Sequence, residues 1–411
     1  METIPQHTIY LQDGTLCNFR KRLLRKSTSL LSCFRMVTDP RKKQGIRHEL
    51  LLFLFILFAG MTTGSTTLKD CRLWAIHNKK FLRMFFTLKH GIPDATTISD
   101  LLQKVKPEEV VDAYLVFLKT LGITFGDVFS ADGKTMRGVT GKDAIRHIFS
   151  IFSHALHAVV TQSGVTQKEN EIPVLRNLLT LKEVRRDIKG ALFLADALHA
   201  NAESAQAILD ANADYILVIK GNQKDFFDAI TTVFSGQEDI PGTNYQTLRR
   251  GWDTITVTEK KRKRDITTTY TLTHDRELCS YLTDHHAFPR LQTIGMLKRK
   301  GIRITKDGTE NPVDETVCFV SSRRVSALEI SILLRNHWCI ENNLHWVKDF
   351  VFLEDRQTLR LGNAPQNMSF LRSMCISIFN IVQFASISDA IHNFAKSKKL
   401  HYQFLTKAAI V

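Results

Sequence analysis

Cysteine is scarce in this 411-residue sequence: there are seven, and no two are spaced as C-x-x-C. A scattered set of odd number does not predict a disulfide framework, and it offers no pair of thiolates for a zinc finger. We therefore expect a reducing compartment and no structural zinc.

Long hydrophobic segments and repeats are also absent. The longest apolar run, LLLFLFILFAGM at residues 50–61, has 12 residues, whereas a membrane-spanning helix needs about 18. We interpret this run as a buried helix and expect no membrane association. No repeating unit or low-complexity tract occurs, which excludes solenoids.

Acidic residues are outnumbered in this chain. Lys and Arg number 56 against 41 Asp and Glu, which gives a formal net charge of +15 and a pI of about 9.5. Such a balance favours a polyanionic partner, with nucleic acid as the first candidate. A basic but otherwise ordinary enzyme is the alternative, because net charge does not say where the charges lie. The length and the 44% hydrophobic content allow two or three domains with cores of their own.

Apolar periodicity divides the chain into five regions. Helical spacing predicts an all-α, DNA-binding domain over residues 1–118. Residues 119–224 show the order strand, strand, strand, helix, strand, helix, strand, helix, which is the order of an RNase H-like domain. Residues 225–325 predict a mainly β insertion, 326–385 return to the core with a helix, and 386–411 form a tail. The predicted fold class is α/β: an RNase H-like catalytic core with a mainly β insertion, preceded by an all-α N-terminal domain.

Three carboxylates stand where such a core carries its chemistry. Asp132 is predicted at the end of the first strand, Asp196 at the end of the fourth, and Glu341 on the helix of residues 335–355. Taken singly, they also suit a turn, a helix N-cap and a solvated surface. Their joint occurrence at three equivalent places of one topology favours a catalytic triad.

A carboxylate cluster of this kind predicts a metal site. Two carboxylates about 4 Å apart repel by about 4 kcal/mol at an effective dielectric of 20, unless cations or protons occupy the cluster. Oxygen ligands suit Mg²⁺ or Mn²⁺. We predict that Asp132 bridges two ions and that Asp196 and Glu341 each hold one, for phosphodiester chemistry. Three acids near Glu341 compete for its place: Asp349, Glu354 and Asp355.

A polar line is predicted on the helix that carries Glu341. At about 100° per residue, Glu341, His345 and Lys348 fall close together beside an apolar stripe. A solvated face with weakly paired charges is the alternative. In the catalytic interpretation Lys348 meets a DNA phosphate.

Other basic residues are candidates for DNA contact. The run KKRKR at 260–264 is predicted in a hairpin loop, where a solvated loop is the alternative. Lys220 precedes Gly221 at a strand-to-helix junction that suits a phosphate. The full predicted set of DNA contacts is Lys134, Lys220, Lys260, Lys261, Arg262, Lys263, Arg264, His345, Lys348, Arg356 and Arg360.

Seven motifs, in order along the chain, resemble those of a known family. They are DPRKKQGIRHELL at 39–51, ADGKTMRG at 131–138, KENEIPVL at 168–175, ADALHA at 195–200, DYILVIKGNQ at 214–223, RNHWCIENNLHWVKD at 335–349 and FLEDRQTLRLGNAPQN at 352–367. With them the chain resembles the DDE transposases of bacterial insertion sequences, most closely the H-repeat-associated branch.

The resemblance implies Mg²⁺-dependent cleavage at transposon ends and joining of the freed 3′-hydroxyl to target DNA. By the same resemblance, the catalytic carboxylates of the family correspond to Asp132, Asp196 and Glu341. It also implies a homodimer on DNA, no small-molecule substrate, and a cytoplasmic, nucleoid-associated location.

Two departures from the family pattern keep alternatives open. Leu334 and His337 stand where the larger superfamily has Tyr and Arg, so phosphate handling by that Tyr and Arg is in doubt for this chain. Thr358 stands where the branch usually has a basic residue. A transposase-derived DNA-binding protein without catalysis is therefore the main alternative. An RNase H-like nuclease without strand transfer is a third.

Overall fold

The computed structural model describes residues 30–139, 145–165, 171–235, 251–261, 264–305 and 307–410. The chain divides into two compact units, each built from separate segments. Unit one comprises Met1–Gly126, Gly133–Val174 and Cys339–Val411, and unit two comprises Asp127–Asp132 and Leu175–Trp338.

The described residues form nine strands and sixteen α-helices. The strands are β1 (Val128–Thr135), β2 (His147–Ser153), β3 (Ala158–Val165), β4 (Leu192–Ala195), β5 (Asp214–Ile219), β6 (Asp253–Lys261), β7 (Arg264–Thr273), β8 (Thr293–Ile304) and β9 (Glu310–Ser321). The helices are α1 (Leu30–Phe34), α2 (Leu50–Met61), α3 (Leu68–His77), α4 (Lys79–Leu82), α5 (Ala95–Leu102), α6 (Pro107–Thr120), α7 (Glu171–Thr180), α8 (Lys182–Ile188), α9 (Ala202–Asp210), α10 (Lys224–Ser235), α11 (Arg276–His286), α12 (Ala327–Asn336), α13 (Trp346–Phe350), α14 (Ala364–Ile381), α15 (Ile387–Lys396) and α16 (Lys398–Ile410).

Two buried helices form the centre of unit one. All twelve residues of α2 are buried, which confirms that the apolar run at 50–61 is a core helix. Helix α14 is buried along nearly its whole length and contacts α2, α5, α6 and β3. A helix that is apolar on every side must be surrounded by other elements, and here they come from both ends of the chain. No described helix has the length and apolar character needed to cross a membrane.

The strands form a mixed sheet whose order is β3-β2-β1-β4-β5-β9-β8-β7-β6. In unit two, β4 pairs in parallel with β1 and with β5, and β9, β8, β7 and β6 follow as antiparallel neighbours. In unit one, β2 and β3 form an antiparallel hairpin. The predicted succession of strands and helices from β1 to α10 is present, with the short α8 in addition.

Four of the described strands follow α10 in unit two. Strands β6 to β9 fall within residues 225–325, together with α11, and α10 ends inside the same range at Ser235. The inner face of these strands packs on α12 through a cluster that includes Leu272, Leu297 and Phe319. Helix α12 starts with a capping box between Ser326 and Glu329.

The register of β8 and β9 predicts an effect of substitution at a glycine. Gly295 pairs with Phe319, and a Cβ on Gly295 would lie 2.1 Å from the Phe319 ring. Because the ring is fully buried, Gly295→Ala should lower the free energy of unfolding by about 1–3 kcal/mol, as in other overpacked cores. Urea denaturation measures this change.

The matched control is the double variant Gly295→Ala, Phe319→Leu. It should recover part of the loss seen with Gly295→Ala, since a smaller side chain makes room for the new methyl group. A double variant whose loss equals the sum of the two single losses would contradict the steric explanation.

Candidate active site

Two aspartates in unit two directly follow the last residues that pair in the parallel register of β1 and β4. The parallel register of β1 and β4 pairs Ala131 with Ala195, and the next residues are Asp132 and Asp196. In-register residues of adjacent parallel strands point to the same face, about 4.8 Å apart along the hydrogen-bonding direction. Asp132 lies within β1, three residues before its end at Thr135, so its predicted position at the end of the first strand is wrong. Asp196 follows directly after β4. The register of the preceding alanines sets the two aspartates at neighbouring places in adjacent strands.

Asp196 also caps a helical turn. Its Oδ1 accepts a hydrogen bond of 3.0 Å from the Leu198 N–H, at the start of the 3₁₀ turn Ala197–His199. The N-cap interpretation is thus correct, but the capping bond uses only one of the two carboxylate oxygens. Asp196 is exposed, and its second oxygen has no hydrogen-bond partner among the described residues. The cap fixes the carboxylate in place and leaves one oxygen for a ligand.

His337 borders this aspartate pair. Its Nδ1 lies 3.2 Å from the Ser130 Oγ. Burial lowers the pKa of His337, Asp196 opposes that shift, and Lys220 and His199 add to it. The imidazole is therefore neutral near pH 7, and the groups that shift its pKa surround the strand ends. In the sequence His337 stood out only as a replacement for a family arginine.

Lys220 occupies the junction that the sequence predicted. It follows β5, is exposed, and precedes the turn Gly221–Gln223 that leads into α10. Asn222 Nδ2 donates to the Ala197 carbonyl over 2.5 Å, which ties this junction to the turn after Asp196. A cation beside a helix start is an arrangement that attracts phosphate.

Glu341 lies in unit one and is exposed. It begins a five-residue π-helical turn, Glu341–His345, and within the described part of the chain it has no hydrogen bond or ion pair. Turns of this type often mark functional positions, because the additional residue redirects side chains.

The three competing acids are each neutralised by cations. Asp349 lies 2.7 Å from Lys134 Nζ, and Asp355 lies 3.8 Å from the same nitrogen. Glu354 pairs with Arg372 at 3.3 Å. The carboxylates that could have taken the place of Glu341 are held within the protein, whereas Glu341 is available to a ligand.

The predicted polar line on this helix is wrong. Glu341 is exposed, but His345 is buried and Lys348 is only 1% exposed. Helical spacing places the three side chains close together but does not show what covers them, and Lys348 is covered by α14, where it contacts Ser369. Burial lowers the pKa of His345 to about 3, so this imidazole is neutral.

A buried ion cluster stabilises the segment that follows Glu341. Lys348 Nζ donates to the Ser369 Oγ at 3.0 Å. Arg372 donates to the Glu354 carboxylate at 3.3 Å and to the Gln357 Oε1 at 3.0 Å. Charges removed from water in this way cost several kcal/mol each unless they are paired, so the cluster restricts these segments to one arrangement.

Electrostatic interactions in the cluster set its protonation states. Burial alone raises the pKa of Glu354, but Lys348 and Arg372 outweigh burial and leave that pKa below its usual value. Burial lowers the pKa of Lys348 to about 8, with Glu354 opposing the change. Lys348 is therefore the group of the cluster that titrates in the mildly alkaline range.

The other predicted DNA contacts fall into two groups. Lys134 is buried between Asp349 and Asp355 and does not face solvent. The exposed ones are Lys260, Lys261, Arg264, Arg356 and Arg360. Lys261 pairs with Arg264 at the end of the β6–β7 hairpin. Arg262 and Lys263 lie outside the described residues.

The residues around the strand ends fit a hard divalent cation only in part. The in-register aspartates offer oxygen ligands, with no Cys among them, as Mg²⁺ and Mn²⁺ require. Within the ranges that the structure describes, no group of three or more His, Cys, Asp or Glu side chains is close enough to hold a metal ion. The described site is an aspartate pair.

Comparison with known families agrees with this geometry. The model of the transposase DDE domain matches residues 123–378, and that of the DDE_Tnp_1-associated domain matches residues 31–118. The chain belongs to the transposase DDE domain family.

Two relatives come from Escherichia coli. "Putative transposase YncI" of strain O157:H7 is 25% identical over 355 residues, which is 85% of this chain and 87% of that protein. "H repeat-associated putative transposase YhhI" of strain K12 is 24% identical over 354 residues, or 85% and 89% of the two chains. The resemblance to the H-repeat-associated branch is thereby confirmed.

The buried Lys348 predicts a pH dependence of stability. Between pH 8 and 10 the unfolded chain keeps this proton, since a free lysine has a pKa of about 10.4, whereas the folded protein releases it. The native protein should therefore gain stability with rising pH relative to Lys348→Met, by about 2 kcal/mol over this range. Urea denaturation at several pH values measures the difference.

The exposed Lys182 provides the matched control. The difference in unfolding free energy between the native protein and Lys182→Met should stay constant between pH 8 and 10. If the difference between the native protein and Lys348→Met also stayed constant over this range, Lys348 would not be desolvated.

Proposed function

We propose that this protein is an active DDE transposase that cleaves DNA at the ends of an insertion sequence and joins the 3′-hydroxyl to target DNA. The proposal is supported by the parallel register of β1 and β4, which pairs Ala131 with Ala195, the residues directly before Asp132 and Asp196. Two adjacent carboxylates repel each other, and a site of this kind is retained where a cation or a proton offsets the repulsion.

Glu341 is the proposed third carboxylate. Support comes from its exposure and from the neutralisation of Asp349, Glu354 and Asp355 by cations. The fold we propose for the core is RNase H-like, supported by the strand order β3-β2-β1-β4-β5 and by the parallel β1–β4 and β4–β5 pairs.

Asp132, Asp196 and Glu341 are the residues that would hold Mg²⁺ or Mn²⁺. Divalent ions bound there would activate the attacking hydroxyl and stabilise the leaving oxygen. Asp196 is positioned for this role by its own N-cap bond, which fixes the carboxylate without using both oxygens. Neutral His337, oriented by Ser130, can donate a hydrogen bond to a phosphate oxygen without adding a positive charge.

The partner we propose is DNA, bound by a homodimer in the cytoplasm at the nucleoid. Exposed cations on the β6–β7 hairpin, at Lys220, and at Arg356 and Arg360 can neutralise phosphates. Lys134 and Lys348 are predicted DNA contacts too, but their burial favours a structural role in holding Asp349 and Glu354.

The test is cleavage of DNA that carries the sequences flanking this gene, with Mg²⁺ as the added ion. Asp132→Asn, Asp196→Asn and Glu341→Gln should each reduce cleavage by more than about 100-fold, because even indirect support of a metal ligand is worth 10- to 100-fold. Asp100→Asn, an exposed carboxylate on α5, is the control and should cleave as the native protein does.

The products distinguish the alternatives. Strand-transfer products made by the native protein support the transposase, whereas hydrolysis products alone would indicate a nuclease. Equal DNA binding by the native protein and by Glu341→Gln, with cleavage by neither, would indicate a DNA-binding derivative. Full activity of any one triad variant would remove that residue from the site.

A further inference from the structure

A cavity lies within unit two, and its lining does not include the aspartates. It has a volume of about 420 Å³ and lies between α11, the segment before β8 and the segment after β9. Its lining includes Arg276, Arg290 and Arg324, and shares no residue with the candidate active site. We refer to this feature as the arginine cavity.

Charge in the arginine cavity is of one sign. Three guanidinium groups line it and no carboxylate does. Arg290 is held by Asp214 at 2.5 Å, but Arg276 and Arg324 have no ion-pair partner among the described residues. The three arginines are exposed, and like charges that line one cavity repel, so a bound anion would stabilise the site.

Two acids lie next to the lining without belonging to it. Asp214 pairs with Arg290, and Asp275 directly precedes Arg276 and is the N-cap of α11, where its Oδ1 accepts from the Leu278 N–H at 2.8 Å. Burial raises the pKa of the Cys279 thiol in the lining to about 12, so it contributes no negative charge. The exposed Glu277 follows Arg276 on the helix and is not part of the lining.

One face of α11 supplies hydroxyl groups as well as charge. Arg276, Ser280 and Thr283 line the cavity at successive helical turns. Arg276 is the first residue of this eleven-residue helix, a position where a cation is unfavourable for the helix because the N-terminus is itself positive. A guanidinium there is explained by an anion that both it and the helix N-terminus attract.

We propose that the arginine cavity binds a phosphate group of DNA, as a contact separate from the site of cleavage. Arginine is suited to this ligand because its planar fork donates two hydrogen bonds to one phosphate. The volume is within the range of pockets that hold small ligands of about nucleotide size, so more than a single ion fits. The choice of DNA as the source of the phosphate rests on the proposed function.

The experiment measures the salt dependence of DNA binding by the full chain. A labelled duplex of about 30 base pairs is titrated in metal-free buffer at several NaCl concentrations, so that catalysis does not contribute. The double variant Arg276→Gln, Arg324→Gln should lower the slope of log K against log salt by about 1 to 2, one for each lost phosphate contact.

The matched control removes the same charge elsewhere in unit two. Lys182→Gln, Lys189→Gln changes two exposed lysines outside the cavity and should keep the native slope. Thermal unfolding verifies that both double variants fold. If the cavity variant, Arg276→Gln with Arg324→Gln, does not fold, the single variant Arg324→Gln replaces it.

A second titration, with pyrophosphate and with thymidine 5′-monophosphate, separates the sources of phosphate. Pyrophosphate should bind the native protein and not the cavity variant. Binding of either small ligand by a native protein that does not bind duplex DNA would overturn DNA as the ligand and also the proposed function. If the folded cavity variant kept the native slope of log K against log salt, the arginine cavity would not bind a DNA phosphate. That result would leave the proposed function untouched, whatever the outcome of the cleavage assay.

Discussion

The parallel pairing of β1 with β4 is the constraint on which the candidate active site depends. Backbone hydrogen bonds fix the register, and a slip by one residue would turn one carboxylate to the opposite face of the sheet. The register is held by apolar burial, since Phe129 and all four residues of β4 are buried. Apolar burial thus holds the register that sets Asp132 and Asp196 at neighbouring places in adjacent strands.

In unit one, the acidic side chains that follow Glu341 are paired with cations. Arg372 is 1% exposed and Glu354 is fully buried, so each would be costly without the other. Glu354 and Asp349 are thus paired with cations, whereas Glu341 has no ion pair among the residues that the structure describes. Glu341 begins the π-helical turn and is exposed, while His345 at the end of that turn is buried.

The net charge of +15 is not spread evenly over the functional surfaces. On the β6–β7 hairpin, Lys260 and Arg264 each pair with an acid on the opposite strand, at 3.8 and 3.6 Å. In the arginine cavity Arg290 pairs with Asp214, whereas Arg276 and Arg324 have no ion-pair partner within the described part of the chain. A bound phosphate therefore competes with a carboxylate on the hairpin and at Arg290, but not at Arg276 and Arg324.

The sequence by itself determined the elements and the pair of aspartates. The apolar run of α2, the alternation of β1 to β5 and the capping signal of α12 are local patterns, and local patterns are read reliably from spacing. Only the tertiary structure decided which acid near Glu341 stays free, because the cations that neutralise Asp349 and Glu354 come from β1 and α14. It also decided the burial of Lys348. Partners distant in sequence and a π-helical turn leave no periodic signal, so no helical spacing rule predicts them.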